Sequence, residues 1–269
     1  MKTPSIHILW MYPNMLNLHG DRGNLMALMR VCDQLGVSAR MTRIDRLSDS
    51  FEIANADLIW FGPGELTVIK TLAERLAPRV EEFRAFVEDG GPMLAIGTSG
   101  ALMAGEVARK DGSGFDGLGL LNMSVTERKA IYGDDLIVTA DGQELGGFQI
   151  RMTDARLGDG QAPFGRVLYG IGDDPAHPDV EGARHKNLIF TNLLGPLLVK
   201  NPWFAARLVE TALARREPGI KLGTPPPDAW AFERQGAQAV RQFNATKAPA
   251  EDAIRAPELT RPSPQEGQE

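Results

Sequence analysis

The sequence predicts an α/β fold in which helices cover both faces of a mostly parallel β-sheet. Over the first hundred residues, short apolar segments alternate with segments of helical periodicity, and the segments that end at Phe61 and Ile96 are followed by turns of small residues. After Gly114 the pattern changes to short strand-like segments separated by Gly and Asp. We therefore expect a flavodoxin-like domain with β-rich additions in its second half.

Four apolar segments of the first hundred residues have the length and composition of buried strands. They are Ser5–Trp10, Val37–Ile44, Asp57–Phe61 and Pro92–Ile96. Ligand sites of parallel sheets lie at the carboxyl ends of the strands. The turns that follow Trp10, Phe61 and Ile96 are therefore the candidate positions for a site.

Helices are expected between these strands. The first is predicted to be capped by Asn24 and to end at Gly36, because these residue types favour the two ends of a helix. A second helix is predicted from Leu66 to about Asp89, and a third begins in the segment Ala101–Ala108.

The second half reads as a series of strands followed by one helix. The expected strands are Leu120–Tyr132, Leu136–Ala140, Phe148–Met152, Arg166–Gly170 and Asn187–Phe190, and the helix is Asn201–Arg216. Residues 1–216 are thus predicted to form one domain. Residues 217–269 are predicted to be a Pro-rich, largely disordered tail with a possible short helix at 229–243.

Composition limits the function classes. The net charge of −6 argues against a broad nucleic-acid surface. The single cysteine, Cys32, fits a reducing compartment, and no apolar run is long enough for a membrane span, so a cytoplasmic location is expected. The four histidines lack metal-ligand spacing and no phosphate-binding Walker motif is present, so neither a metal nor a cofactor is expected.

The most informative motif is the segment 92–105, a buried strand followed by the turn Gly97-Thr98-Ser99-Gly100 and a helix. A sharp strand-to-helix turn of small residues is typical of a nucleophile elbow, which exposes one side chain above the sheet. An ordinary β–α turn with glycines for packing remains the alternative on this segment alone.

Three more segments carry a resemblance to a known family. They are Tyr12 to Asn24, Phe61 to Glu65, and His185 to Asn201 with its Thr191-Asn192-Leu193-Leu194-Gly195-Pro196 core. Together with the elbow they resemble, in the same order over about residues 5–216, class I glutamine amidotransferases of the cobyric acid synthase-like (CobB/CobQ-like) branch. The similarity is to the GatD subunits of lipid II isoglutaminyl synthase.

The chain departs from this family at the positions of the catalytic residues. Family members hydrolyse glutamine with a cysteine thiolate that a histidine activates. Two alignments of the elbow are open, and they place Gly97 or Thr98 at the cysteine position, while Leu194 stands at the histidine position. Rescue by Thr98 or Ser99 would require a base, and the histidine considered for it is His185, which lies several residues before Leu194.

The resemblance also implies roles for other residues. Gly62, Gly64 and Ser99 would shape the oxyanion loop and pocket, although tight-turn chemistry alone explains the glycines. Arg128 would lie at the substrate entrance, or be a solvated charge on an edge strand. Asp21, Arg22 and Asn24 would form a loop that positions a partner, or provide local turn and cap chemistry.

Three hypotheses follow from the resemblance. The chain is expected to be a GatD-like pseudo-glutaminase that forms a heterodimer with a Mur-ligase-like (MurT-type) protein in lipid II amidation or related cell-wall metabolism. The first alternative is an active amidotransferase subunit that supplies ammonia through a displaced nucleophile. The second is a stand-alone binder of an amino-acid-like ligand.

Overall fold

The structure, a computed structural model, describes residues 3–247. Strands β1 to β4 and helices α1 to α4 build the first half. The strands are β1 (Ser5–Met11), β2 (Ser38–Ile44), β3 (Leu58–Phe61) and β4 (Met93–Ile96). The helices are α1 (Arg22–Gln34), α2 (Leu66–Leu76), α3 (Val80–Glu88) and α4 (Gly100–Met103).

The second half adds eight strands and three helices within the described residues. The strands are β5 (Glu106–Ala108), β6 (Gly114–Asp116), β7 (Met123–Ala140), β8 (Gln143–Leu157), β9 (Gly165–Tyr169), β10 (Val180–Glu181), β11 (Ala183–His185) and β12 (Leu188–Thr191). The helices are α5 (Leu197–Lys200), α6 (Pro202–Arg216) and α7 (Ala231–Ala245).

A six-stranded sheet in the order β11-β12-β4-β3-β1-β2 forms the centre of the domain. All of its neighbouring strands are parallel except the edge strand β11. Strand β1 shows how the sheet divides the core, because Leu9 and Met11 face one apolar layer while Ile8 and Trp10 face the other. Helices α2, α3 and α4 cover the first layer, and α1 and α6 cover the second. The predicted α/β fold is confirmed.

The second sheet has the order β10-β9-β7-β5-β6, and β8 pairs with β7 from Met123 to Ala140, with one irregularity between Glu127 and Tyr132. The long strands β7 and β8 form an antiparallel hairpin. Glu127 lies opposite Thr153 and Tyr132 lies opposite Arg151, so residues 128–131 bulge out opposite the single residue Met152. This sheet is the β-rich addition that the sequence predicts.

The predicted bounds of two helices were wrong. The helix expected over 66–89 is two helices, because Pro78 lies between α2 and α3 and cannot donate a helical hydrogen bond. The helix expected over 101–108 ends at Met103. The chain then forms β5, in which Val107 is buried between two exposed residues, and the Gly105 N–H bonds the Met123 carbonyl.

Residues 217–247 follow α6 and contact the domain. The Gly223 N–H donates to the Leu35 carbonyl, the Trp230 indole donates to Gln34, and Arg241 of α7 pairs with Glu144. The placement of the domain boundary at 216 stays a prediction, and residues 248–269 of the expected tail lie outside the described residues. Within residues 3–247, no helix has the length and apolar character that a membrane crossing requires.

Candidate functional site

The turn after β4 has the backbone geometry of a nucleophile elbow. Gly97 follows the last residue of β4 directly, and its φ of 59° is in the left-handed region. Gly97, Thr98 and Ser99 form one 3-10 turn that leads into α4, and all three are buried. A left-handed residue is needed for so sharp a turn, and glycine adopts it without strain. By backbone conformation, Gly97 is therefore the position that an elbow would give to its nucleophile.

Leu194 lies against Gly97, although the two are far apart in the sequence. Strand β12 runs parallel to β4 with Thr191 opposite Ile96, so both strands end at the same edge of the sheet. A Cβ atom placed on Gly97 would lie 3.4 Å from Cδ2 of Leu194 and 3.2 Å from Cβ of Pro63. The structure thus brings Gly97 and Leu194 together, two positions that the resemblance predicts for the cysteine and the histidine, and apolar atoms fill the space between them.

The hydroxyls of Thr98 and Ser99 hold the neighbouring turn. Thr98 Oγ1 accepts a hydrogen bond from the Gly64 N–H at 2.9 Å and donates to the Gly64 carbonyl at 2.5 Å. Ser99 Oγ donates to the Gly62 carbonyl at 2.5 Å. Neither hydroxyl bonds a histidine or a carboxylate among the described residues. A hydroxyl without a base is not an activated nucleophile.

Gly62 and Gly64 are glycines because the loop after β1 packs directly on their turn. A Cβ on Gly62 would overlap the Asp21 carboxyl, and one on Gly64 would lie 2.6 Å from Cδ2 of Leu16. The Gly64 N–H is already bonded to Thr98. In this conformation it therefore offers no free donor for an oxyanion.

The three residues expected to position a partner lie at different depths. Asp21 and Asn24 are 3% and 1% exposed, whereas Arg22 is exposed. Asp21 accepts hydrogen bonds from the Trp60 indole at 2.9 Å and from the Asn24 amide at 3.0 Å. Asn24 lies inside α1, which begins at Arg22, so the expected cap at Asn24 was wrong. Of the three side chains, Arg22 is the one that a partner could contact directly.

Asp21 is a buried acid with an altered pKa. Burial raises the pKa of its carboxyl to about 7, and the hydrogen bonds from Trp60 and Asn24 act in the opposite direction. No described side chain forms an ion pair with it. The ionised carboxylate is therefore uncompensated by a cation.

A second group of buried polar residues borders Leu194, and the sequence did not reveal it. Glu181 accepts hydrogen bonds from the Thr191 hydroxyl at 2.9 Å and from the Asn192 N–H at 2.6 Å. Asp173 accepts from the Asn192 side chain at 2.7 Å. Burial raises the pKa of both carboxyls; the Arg151 guanidinium opposes the rise at Asp173, and the Asp173 charge adds to it at Glu181.

The inward face of β8 lines one side of this group of buried polar residues. Gln149, Arg151 and Thr153 are buried there, while the intervening residues are partly exposed. The Gln149 amide is 0% exposed and has no hydrogen-bond partner on either atom. The alternation of polar and apolar residues in 148–153 was the available signal, but alternation does not say which face is covered.

Arg128 lies in the bulge of β7. Its Nη1 donates to Asp154 Oδ1 at 2.5 Å, and Asp154 also accepts from Arg151 at 2.9 Å. Arg128 and Arg151 thus share Asp154, which links Arg128 to the group of buried polar residues. Its expected role at a substrate entrance stays a prediction.

The other two candidate residues are remote from Gly97. His185 is on β11, opposite the first residue of β12, and pairs with Glu88 at 2.6 Å; Leu194 follows the other end of β12. Cys32 is buried in α1, and burial raises the pKa of its thiol to about 12. Neither residue supplies a base or a nucleophile to the turn after β4. Within residues 3–247, no three potential ligand side chains are grouped as a metal site.

The comparisons with known proteins agree on the type of domain. Residues 7–202 match the family of CobB/CobQ-like glutamine amidotransferase domains. Two relatives are named as subunit GatD of lipid II isoglutaminyl synthase (glutamine-hydrolyzing). The one from Streptococcus pneumoniae (strain ATCC BAA-255 / R6) is 30% identical over 215 residues, 78% of this chain and 82% of its own. The one from Staphylococcus aureus (strain N315) is 25% identical over 202 residues, 75% and 82%.

A solved structure described as a glutamine amidotransferase is also similar. It has a TM-score of 0.49 and 18% identity, over 76% of this chain and 98% of that chain.

Proposed function

The chain belongs to the CobB/CobQ-like glutamine amidotransferase domain family, and from this premise we propose that it is a GatD-like subunit without glutaminase activity. In this proposal it works in the cytoplasm as a heterodimer with a Mur-ligase-like (MurT-type) protein. The complex acts in amidation of the peptidoglycan precursor lipid II or in a related step of cell-wall metabolism.

The observation that carries the proposal is the contact between Gly97 and Leu194. The fold supplies the elbow conformation at Gly97 and brings the β12 end to it, but the two side chains are hydrogen and isobutyl. Covalent hydrolysis of glutamine requires a thiolate, a group that transfers protons, and free donors for the oxyanion. The thiolate and the proton-transferring group are absent from this turn, and Thr98 also occupies the Gly64 N–H.

The filled space at the turn also argues against a ligand site there. Pro63, Gly97 and Leu194 are all buried, and Leu194 belongs to the apolar layer that α1 and α6 cover. A glutamine side chain above Gly97 would have to displace Leu194 in this conformation. The stand-alone binder of an amino-acid-like molecule is therefore the weaker alternative.

The partner is inferred from the relatives. Their printed name describes a subunit of a synthase, and this chain spans 82% of each of them. A subunit that keeps its fold while it loses its chemistry retains the surface with which it binds the rest of its complex. In this chain the exposed part of the segment from Asn14 to Asn24, with Arg22 at the start of α1, is the candidate contact.

The first experiment tests the complex and its activity together. The chain is co-expressed with the Mur-ligase-like protein of the same genome, and the mixture is separated by size exclusion at micromolar concentration. We expect co-elution and no glutamate release from glutamine above background. Separate elution would remove the partner proposal. Glutamate release that disappears with Thr98→Ala or Ser99→Ala would establish the displaced-nucleophile alternative instead.

The second experiment asks whether Gly97 and Leu194 are the two lost positions. The double variant Gly97→Cys, Leu194→His places a thiol beside an imidazole, and we expect it to gain glutaminase activity or reaction with a glutamine-analogue electrophile. The matched control is Thr98→Cys, Leu194→His, in which the thiol would replace the hydroxyl that binds Gly64. Activity in the control alone would move the nucleophile position to Thr98. Inactivity of both folded variants would contradict the assignment of Leu194.

A further inference from the structure

A cavity of about 510 Å³ lies at the amino-terminal edge of the parallel sheet, opposite the edge that carries Gly97. It is bounded by the first residues of β1 and β2, the loop before β3 and the last two residues of α6. We call it the amino-end cavity. Its polar lining includes Ser5, Ser38, Arg40, Asp57, Arg215 and Arg216.

Positive charge dominates this lining. Three guanidinium groups line the cavity, and among the described residues around it Asp57 supplies the one carboxylate. The arginine and aspartate side chains therefore leave a surplus of two positive charges, although the whole protein has a net charge of −6. A cleft lined mainly by one sign of charge attracts a ligand of the opposite sign.

Two of the guanidinium groups are held in place by contacts with the fold. Arg216 Nη1 donates to both oxygens of Asp57, at 3.1 and 2.9 Å, and Asp57 is 2% exposed. Arg215, whose side chain is 13% exposed, donates to the Ala56 carbonyl at 2.9 Å and lies over the Phe86 ring. These two charged groups are therefore ordered before a ligand binds, which lowers the entropic cost of binding.

The third guanidinium group has no protein partner among the described residues. Arg40 is exposed on β2 and forms neither a hydrogen bond nor an ion pair with any of them. Ser5 and Ser38 lie opposite each other at the start of β1 and β2, and their hydroxyls likewise bond none of the described residues. These three side chains can therefore donate to a ligand.

Stabilisation of α6 accounts for only part of the charge. Cations in the last turn of a helix interact favourably with its dipole, which explains Arg215 and Arg216. Arg215 also lies 3.6 Å from Asp89, but that side chain is exposed and outside the cavity. Neither contact explains Arg40, which belongs to a strand. Three like charges around one cavity are unfavourable unless an anion or solvent screens them.

The donor groups match a phosphate. Guanidinium groups bind phosphate oxygens through paired N–H donors, and a phosphate monoester carries about two negative charges above neutral pH, which equals the surplus of the lining. A second cavity of about 710 Å³ adjoins the first, because Ser5 and Arg216 line both. The apolar side chains of Pro4, Leu213 and Ile220 line this second cavity, so it offers space for an organic group.

We propose that the amino-end cavity binds the phosphate group of a small phosphate monoester whose organic part extends into the adjoining cavity. Arg40, Arg215 and Arg216 supply the positive charge, and Ser5 and Ser38 supply neutral donors. The site is at the opposite edge of the sheet from the elbow turn. The proposal therefore rests neither on the loss of glutaminase activity nor on the proposed partner.

Isothermal titration calorimetry of the full chain with phenyl phosphate tests the site. At about pH 8, where a phosphate monoester is a dianion, we expect a Kd below about 1 mM. Inorganic phosphate, which lacks the organic part, should bind at least about tenfold more weakly. Absence of binding at millimolar phenyl phosphate would overturn the proposal. Equal affinities for the two compounds would overturn the assignment to an ester.

The variant that tests the cavity is Arg40→Gln, because the loss of this guanidinium breaks no contact with a described residue. It should weaken the binding of phenyl phosphate at least about tenfold. The matched control is Arg46→Gln, which makes the same change in net charge. Arg46 is also exposed, follows the other end of β2 and lines neither cavity. Equal weakening in the two variants would show general attraction by charge and overturn the proposal.

Backbone N–H resonances locate the bound compound. Phenyl phosphate should shift the resonances of Ser5, Ser38 and Arg40, which line the amino-end cavity, and leave those of Gly64 and Gly97 unchanged. Shifts confined to the turn after β4 would overturn the proposal, because the compound would then bind at the elbow.

Discussion

The two sheets of this molecule differ in what they enclose. Strands β3, β4 and β12 of the parallel sheet are buried at every residue, and apolar side chains fill both of its faces. The inward face of β8 in the second sheet instead carries Gln149, Arg151 and Thr153. Apolar packing does not itself respond to proton concentration, whereas the buried charges of the second region do. The parallel sheet is therefore stabilised mainly by apolar packing, whereas the inward face of β8 depends on electrostatic interactions.

The largest expected effect is loss of packing in the parallel-sheet region. Phe83 is 0% exposed, and its ring centroid lies 6.0 Å from that of Phe61 and 6.5 Å from that of Phe51. Phe83→Ala should lower the free energy of unfolding by about 3–5 kcal/mol. Urea denaturation measures it. The loss should be equal at mildly acidic and mildly alkaline pH, and a pH-dependent loss would contradict the comparison of the two regions.

The next effect concerns the buried cation of the second region. Arg151→Met leaves Asp173 and Glu181 without the guanidinium that faces them, and we expect a loss of about 3 kcal/mol at mildly alkaline pH. The loss should shrink at acidic pH, where the carboxyls are protonated. Arg166→Met is the control, since the Arg166–Asp179 pair is exposed and should contribute less than about 1 kcal/mol. Equal losses in the two variants would contradict the role of burial.

The ionisation of Asp21 is expected to change the free energy of unfolding by a smaller amount, and in a defined direction. Its folded-state pKa of about 7 lies above the ordinary value of 3.8, so the native state binds its proton more tightly than the unfolded chain does. The resulting stabilisation is complete below the unfolded-state pKa and is lost as the pH rises to about 7. Between about pH 5 and pH 8, the wild type should lose about 2 kcal/mol more stability than Asp21→Asn. Parallel pH profiles of the two proteins would exclude this linkage.

Much of the frame could be predicted from the sequence, because apolar strands of four to seven residues leave little choice of environment. The buried polar residues of the second sheet could not be predicted from the sequence. Gln149 and Arg151 alternate with Phe148 and Ile150, and only the tertiary structure decides which set faces inward. Asp21 sits among Asn and Gly residues as a surface loop would, and its burial follows from packing against Gly62. The sequence left Gly97 and Thr98 both open as the nucleophile position, and the left-handed φ of Gly97 and the two hydrogen bonds of Thr98 favour Gly97.

The smallest expected effect tests the boundary at 216. The segment 217–247 contacts the domain through polar pairs such as Arg30–Glu233 and Arg241–Glu144 and through the partly buried side chains of Ile220, Leu222 and Trp230. A chain shortened to end at Arg216 should lose about 1–2 kcal/mol, which is a fall in Tm of roughly 5 °C for a domain of this size. Calorimetry measures this change in Tm. A fall of more than about 15 °C would show that the segment is part of the core.

The strand order has a consequence for how the chain is made. Strand β4 lies between β3 and β12, yet β12 begins about ninety residues after β4 ends. At the usual rate of synthesis, the ribosome needs roughly 5–20 seconds to deliver it. During that interval one edge of an entirely apolar strand has no neighbour on the nascent chain. The contact of Leu194 with the turn after β4 therefore forms only after β12 has been made.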